Sequence, residues 1–180
     1  KDLTLDLGTC RLKYPVTGFS QINESQIPNL LRCAETLLQP SAETDLLDLY
    51  CGYGLFSFGI GEKANSTFGV EWEGASIEYA KNSARFLKRQ KSRFLAGKID
   101  ASFVEKRIPK SQSPEVMLLD PPRKGVDSGV IAALARRKPE RILHIFCGTD
   151  EIPRSLNQWR LANYRVQKIV PLDLFPGTPH

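Results

Sequence analysis

The sequence predicts an α/β fold: a mostly parallel β-sheet with helices covering both faces. Three observations carry this expectation. Short apolar runs alternate with stretches of helical periodicity along most of the chain, the pattern of repeated βα units. One of those runs, Val116-Met117-Leu118-Leu119, is apolar without alternation, as a strand buried on both faces requires. With 180 residues, 41% hydrophobic and 25% charged, the chain suits one domain with one core and excludes a disordered or collagen-like chain.

Taken in order, Leu3, Leu5 and Leu7 alternate with polar residues up to Gly8-Thr9, and 11–14 resumes the extended pattern, which predicts a small N-terminal β hairpin. Over 24–38, Ile27, Leu30, Leu31, Ala34, Leu37 and Leu38 recur at helical spacing, with Pro40 just past the end, so an amphipathic helix follows. Four βα pairs come next: strand 45–50 with helix 55–60, 67–71 with 74–87, 116–119 with 130–135, and 142–146 with 151–159. An extended segment at 164–170 closes the pattern, and 109–114 reads as a loop. The expected organisation is a hairpin and helix over 1–40 leading into a ligand-binding domain over 41–180.

Cys10, Cys33, Cys51 and Cys147 are scattered without a CxxC pair, so neither a metal site nor a disulfide framework is expected. The net charge of +5 suggests a polyanionic partner. Basic residues gather at Arg85-Lys88-Arg89-Lys91-Arg93 and at Arg136-Arg137-Lys138, each cluster taken alone reading as a solvated helix end. No apolar run reaches membrane-spanning length and the first residues are charged, so a soluble, cytoplasmic chain is expected. No pattern specifies an oligomeric state.

Parallel sheets bind ligands beyond the carboxyl ends of their strands, here 50–54, Glu71, Asp100, 120–123 and 147–149. Asp48-Leu49-Tyr50-Cys51-Gly52-Tyr53-Gly54 leaves a strand and opens a helix, and its two glycines let the backbone approach a ligand closely. A nicotinamide dinucleotide asks for a third glycine where Ser57 stands. Glu71 ends the next strand, where a carboxylate accepts hydrogen bonds from a ribose diol; the alternative is a bare strand-turn-helix with a solvent-facing Glu. In Leu118-Leu119-Asp120-Pro121-Pro122-Arg123-Lys124-Gly125 the prolines fix the backbone and remove two donors, leaving a carbonyl edge beside Asp120. That edge suits a methyl-transfer site holding a planar base, or else it is a rigid turn with a basic tip.

With Phe19-Ser20-Gln21-Ile22-Asn23, residues 48–57, Gly69-Val70-Glu71, 120–125 and 175–180 in this order, the chain resembles the RNA uracil-5 methyltransferase family, whose members make 5-methyluridine in tRNA or large-subunit (23S) ribosomal RNA. The resemblance implies a Rossmann-like S-adenosylmethionine-dependent methyltransferase fold and an RNA partner. It also implies that S-adenosylmethionine is contacted by Gln21, Tyr50, Gly52, Glu71 and Asp120, with Asp100 at the adenine edge, and that Cys147 is the nucleophile. Two positions depart from the family. Phe146-Cys147-Gly148-Thr149 stands where Ser-Cys-Asn-Pro or Ser-Cys-Asn-Ala is usual, and Leu55 where some members use a cofactor-contacting Asn.

Carbon 5 of uracil is a poor nucleophile, so in this chemistry a thiolate adds to carbon 6 first. Cys147 precedes a helix expected from about Glu151, whose dipole is expected to lower the thiol pKa. The family's base is a Glu just after a His; the chain ends at His180, so it is expected to bind cofactor without completing turnover. Cys51, Cys33 and Cys10 read as structural, Trp72 as either an adenine platform or core, and Arg123 and Lys124 as phosphate contacts or a solvated turn. Two other classes stay open: an amino-directed nucleic-acid methyltransferase, and a noncatalytic cofactor- or RNA-binding module.

Overall fold

The computed structural model describes residues 2–16, 23–72 and 74–174. An antiparallel hairpin of β1 (Asp2–Asp6) and β2 (Arg11–Pro15) comes first, then α1 (Ile27–Leu38). The remaining elements are β3 (Asp45–Leu49), α2 (Leu55–Gly59), β4 (Ser66–Glu71), α3 (Gly74–Phe86), β5 (Ser92–Ala96), α4 (Ala101–Lys106), β6 (Glu115–Leu119), α5 (Val130–Ala135), β7 (Arg141–His144) and α6 (Ile152–Leu161). Strands β3 to β7 form one parallel sheet in the order β5-β4-β3-β6-β7.

Successive side chains of a strand point to opposite faces, and the two cores follow that rule. Leu46, Val116 and Leu118 pack with the hairpin, α1, α2 and α3; Leu47, Leu49, Met117 and Leu119 pack with α4, α5 and α6. Helix α1 shows how its sequence earns its place. Pro28 occupies the first turn, where its missing N–H costs nothing, and Ile27, Leu30, Ala34 and Leu38 line the buried face. Gln39 ends the helix in the left-handed conformation, its N–H donating to Glu35 O at 2.8 Å.

The fold class and every expected βα pair are present, with differences that have physical causes. Strand β5 and helix α4 escape a periodicity reading. β5 is an edge strand with Arg93 and Ala96 exposed, embedded in a basic run, and α4 has only six residues. The expected strand 142–146 is β7 over Arg141–His144, although Ile145 N–H still donates to Leu119 O at 2.8 Å. The segment 164–170 forms no ladder, and Val166 and Ile169 are exposed. The cluster 136–138 is not simply a solvated helix end. Arg137 is 10% exposed and grips Glu115 with two nitrogens, at 2.9 and 2.5 Å, while also donating to Pro109 O. Among the described residues no helix is long and apolar enough to cross a membrane, and no group of His, Cys, Asp and Glu is placed to hold a metal ion.

Candidate active site

The chain steps from β3 to β4 on one side and reaches β6 on the other, so the crossover direction reverses between β3 and β6. Above such a reversal the loops part and leave a crevice at the carboxyl ends of the strands. The turn after β3 and Asp120 after β6 face that crevice.

The turn is held in unusual backbone. Tyr50 has φ +63°, Gly52 +55° and Gly54 +94°. For Tyr50 this left-handed conformation costs about 1–2 kcal/mol, the kind of strain that gathers at ligand sites. Gly54 is required by space as well, because a Cβ there would lie 2.6 Å from the Phe58 ring. Gly52, by contrast, faces open space. The turn is anchored by Cys51 N–H donating to Val70 O at 3.0 Å and by Tyr53 stacking on Tyr14 of the hairpin, ring centroids 4.9 Å apart.

Glu71 crosses to this turn from β4. Its Oε2 accepts from Gly52 N–H at 2.9 Å and its Oε1 from Trp72 N–H at 2.6 Å, which fixes the carboxylate plane at the mouth of the crevice. Trp72 is 62% exposed and therefore no part of the core, with Lys98 Nζ 6.0 Å from the ring centroid. Asp100 lies beyond β5 on the same edge of the sheet, but one of its oxygens caps α4, Oδ1 accepting from Phe103 N–H at 2.8 Å. Gln21 lies outside the described residues, as does the run 175–180.

Sequence reasoning did not single out Asp48 as a site residue. It is fully buried; Oδ2 accepts from the Ser57 hydroxyl at 2.6 Å, and Oδ1 has no partner among the described residues. Burial, then the charges of Asp120 and Glu71, push its pKa up to about 7. Ser57, where a dinucleotide fingerprint has its third glycine, thus braces a carboxylate under the turn. The available signal was an acid inside an otherwise apolar strand.

Asp120 ends β6, its N–H donating to Leu49 O at 3.3 Å. Burial, reinforced by Glu71, pushes its pKa up to about 6. The thiol of Cys147 donates to Asp120 Oδ1 at 3.8 Å, so the structure brings Tyr50, Gly52, Glu71, Asp120 and Cys147 to one crevice. The expected lowering of the Cys147 pKa is overturned. Desolvation by the surrounding loops and then the Asp120 carboxylate push the thiol up, and Arg123 opposes them only weakly. The helix that was to supply the dipole begins five residues later, at Ile152. Arg123 and Lys124 are exposed at the tip of the Asp-Pro-Pro turn, which closes at Gly125 (φ +75°), where a Cβ would meet Glu151 Oε2 at 2.7 Å.

His144, also missed from sequence, underlies the Cys147 loop. Its ring stacks on Phe146 at 4.1 Å, Nδ1 accepts from Trp159 Nε1–H at 3.2 Å, and burial pushes its pKa down to about 4. It is therefore neutral, with the proton on Nε2. A lone histidine on a strand gives no sequence signal of such packing.

No protein-family model matches the chain. Over 177 residues it is 31% identical to an uncharacterized RNA methyltransferase of Thermosynechococcus vestitus, covering 97% of this chain and 38% of that protein. Over 170 residues it is 31% identical to another from Gloeobacter violaceus, covering 94% and 36%. The chain spans less than two fifths of the length of these curated relatives. The tRNA (uracil-54, C5)-methyltransferase of Pyrococcus abyssi, solved in complex with S-adenosyl-L-homocysteine, matches with a TM-score of 0.81 over 99% of this chain and 42% of that one, at 24% identity. That likeness shows the fold: the chain has the Rossmann-like α/β architecture of S-adenosylmethionine-dependent methyltransferases.

Proposed function

We propose that the protein is an S-adenosylmethionine-dependent RNA methyltransferase that methylates carbon 5 of a uridine, in tRNA or large-subunit ribosomal RNA, with Cys147 as nucleophile. The observation that carries this reading is the Cys147 thiol hydrogen-bonded to Asp120 at the mouth of the crevice that also holds Glu71 and the β3 turn. Similarity to RNA methyltransferases along nearly the whole chain supports it.

The residues present fit the cofactor. Glu71 presents a carboxylate fixed at the mouth of the crevice, the group a ribose diol donates to, Gly52 leaves open space above the turn, and the exposed Trp72 ring offers a face to adenine. Asp48, Asp120 and Glu71 gather three carboxyl groups here, and burial and their mutual repulsion raise the pKa of the first two, so a positive ligand is favoured. When bound, S-adenosylmethionine supplies an electrophilic methyl group on a sulfonium.

The chain's own groups do the rest. Asp120, ionised for the most part at neutral pH, takes the thiol proton across its existing hydrogen bond. The Cys147 sulfur then forms a bond to carbon 6 of uracil, and the displaced π pair makes carbon 5 an enolate nucleophile. Carbon 5 takes the methyl group; loss of its proton to a base restores the ring double bond and expels Cys147 as thiolate.

The test uses a 5-fluorouridine-substituted RNA with S-adenosylmethionine, because fluorine cannot leave as a proton does and the adduct is trapped. Mass spectrometry should find methylated RNA joined to Cys147, and none with Cys147→Ala although that variant still binds cofactor. Methylation of an exocyclic amino group without adduct would replace this reading by the amino-directed one. Cofactor binding with no methyl transfer to any RNA would replace it by the noncatalytic module.

A further inference from the structure

The corner where α3 turns into β5 carries five cations in nine residues: Arg85, Lys88, Arg89, Lys91 and Arg93. Only Arg89 has an acidic partner among the described residues, Glu62 at 2.7 Å; Arg85 and Lys91 donate to the neutral side chains of Asn82 and Asn65. The corner is ordered rather than loose. Lys88 holds φ +54°, and Arg89 N–H closes the helix end on Ala84 O at 2.8 Å. Among these cations stands Phe86, 83% exposed, the most exposed of the large apolar residues described.

Cations at a helix C-terminus complement the helix dipole, which accounts for Arg85 and Lys88. It does not account for Lys91 and Arg93, at the start of an edge strand, nor for an aromatic ring held in water. An exposed ring among cations that, Arg89 apart, have no acidic partner among the described residues is the chemistry of a single-stranded nucleic-acid platform, where a base stacks on the ring and the flanking charges meet phosphates. We propose that the α3–β5 corner binds an unpaired stretch of the RNA substrate outside the target nucleotide. Phe86 stacks a base, and Lys88, Lys91 and Arg93 hold the backbone. This rests on the reading of the protein as an RNA methyltransferase. The corner lies at the far end of the sheet from Cys147, four strand spacings across and one strand length down, about 25 Å in all. It therefore adds RNA affinity without touching the reacting base.

The test is binding of a labelled structured RNA across a salt series. It compares the wild-type chain with Lys88→Glu/Lys91→Glu/Arg93→Glu, with Phe86→Ala, and with a charge-matched control, Lys106→Glu/Lys110→Glu/Arg141→Glu. All these positions are exposed, and unchanged melting and cofactor binding verify the fold. The corner reversal should weaken binding about 100-fold and lower the log-log salt slope by about 2–3, well beyond the control. Phe86→Ala should weaken binding about tenfold with the slope unchanged. Equal effects of the corner and control reversals would overturn the corner as a platform while leaving the RNA reading intact. A wild-type chain that binds cofactor but no RNA would overturn both. Binding of phosphatidylserine vesicles through Phe86, with no such effect on RNA, would overturn the proposal in favour of a lipid surface.

Discussion

Replacing Asp48 by asparagine isolates the electrostatics beneath the turn after β3. Asp48 is fully buried with one oxygen unpartnered, and its pKa moves from 3.8 to about 7. The folded state therefore holds this proton more tightly than the unfolded state does. Stability from that source is complete below the unfolded value and is lost as pH rises through the folded one, at about 1.4 kcal/mol per unit. The interval amounts to about 4 kcal/mol, of which about 3 falls between roughly pH 5 and pH 8. Asparagine keeps the shape and an acceptor for Ser57 but has no charge to lose. Urea denaturation of both proteins across this range should show Asp48→Asn gaining about 3 kcal/mol on wild type as pH rises, with the m-value unchanged. Asp120 shifts in the same direction in both proteins and largely cancels in the comparison. A difference that stays constant with pH would refute the argument, because it would mean that folded Asp48 is ionised throughout, as it is in the unfolded chain.

Gly54→Ala forces a left-handed conformation on a residue with a Cβ and drives it against Phe58, so it should cost about 2–4 kcal/mol and lower Tm by about 10 °C; a change within the error of differential scanning fluorimetry would count against the strained turn. Trp72→Ala should leave stability unchanged, since the ring is exposed, yet weaken S-adenosylmethionine binding about tenfold by calorimetry; unaltered affinity would remove Trp72 from the site. Arg137→Met leaves the buried Glu115 carboxylate uncompensated and should cost about 3–5 kcal/mol in chemical denaturation. Arg137→Met/Glu115→Leu should recover most of that, and a double variant as unstable as the single one would refute the ion-pair account.

The sheet was legible because its central strands are buried on both faces, and Val116-Met117-Leu118-Leu119 has little other use. The turn after β3 was legible because glycine spacing and a terminal acid are local signals, and both lie where strand order places them. Strand β5 was not, because an edge strand buries too little to need apolar alternation and hides inside a basic run. Arg137 was misread for a related reason. Its partner Glu115 is 22 residues away, and no pattern of neighbours distinguishes a buried arginine from a solvated one.

The same distinction decides the sign at Cys147. A helix-dipole argument uses only residues that follow the cysteine in the chain, and it points toward a lowered pKa. The nearest charge is Asp120, 27 residues earlier, which accepts the thiol proton and raises that pKa. A thiol in this state carries less thiolate than a free cysteine, so an accessible sulfur is kept comparatively unreactive. In the proposed mechanism its activation rests on proton transfer to ionised Asp120. The neighbours that hold Asp120 up are burial and the Glu71 charge, and Glu71 is the group proposed to receive the ribose of the positively charged cofactor. A positive ligand beside these carboxylates favours ionised Asp120, and an ionised Asp120 is the acceptor that the Cys147 proton needs. In the proposed mechanism the crevice thus links Cys147 to cofactor binding through groups brought together only by the order of strands β4, β3, β6 and β7.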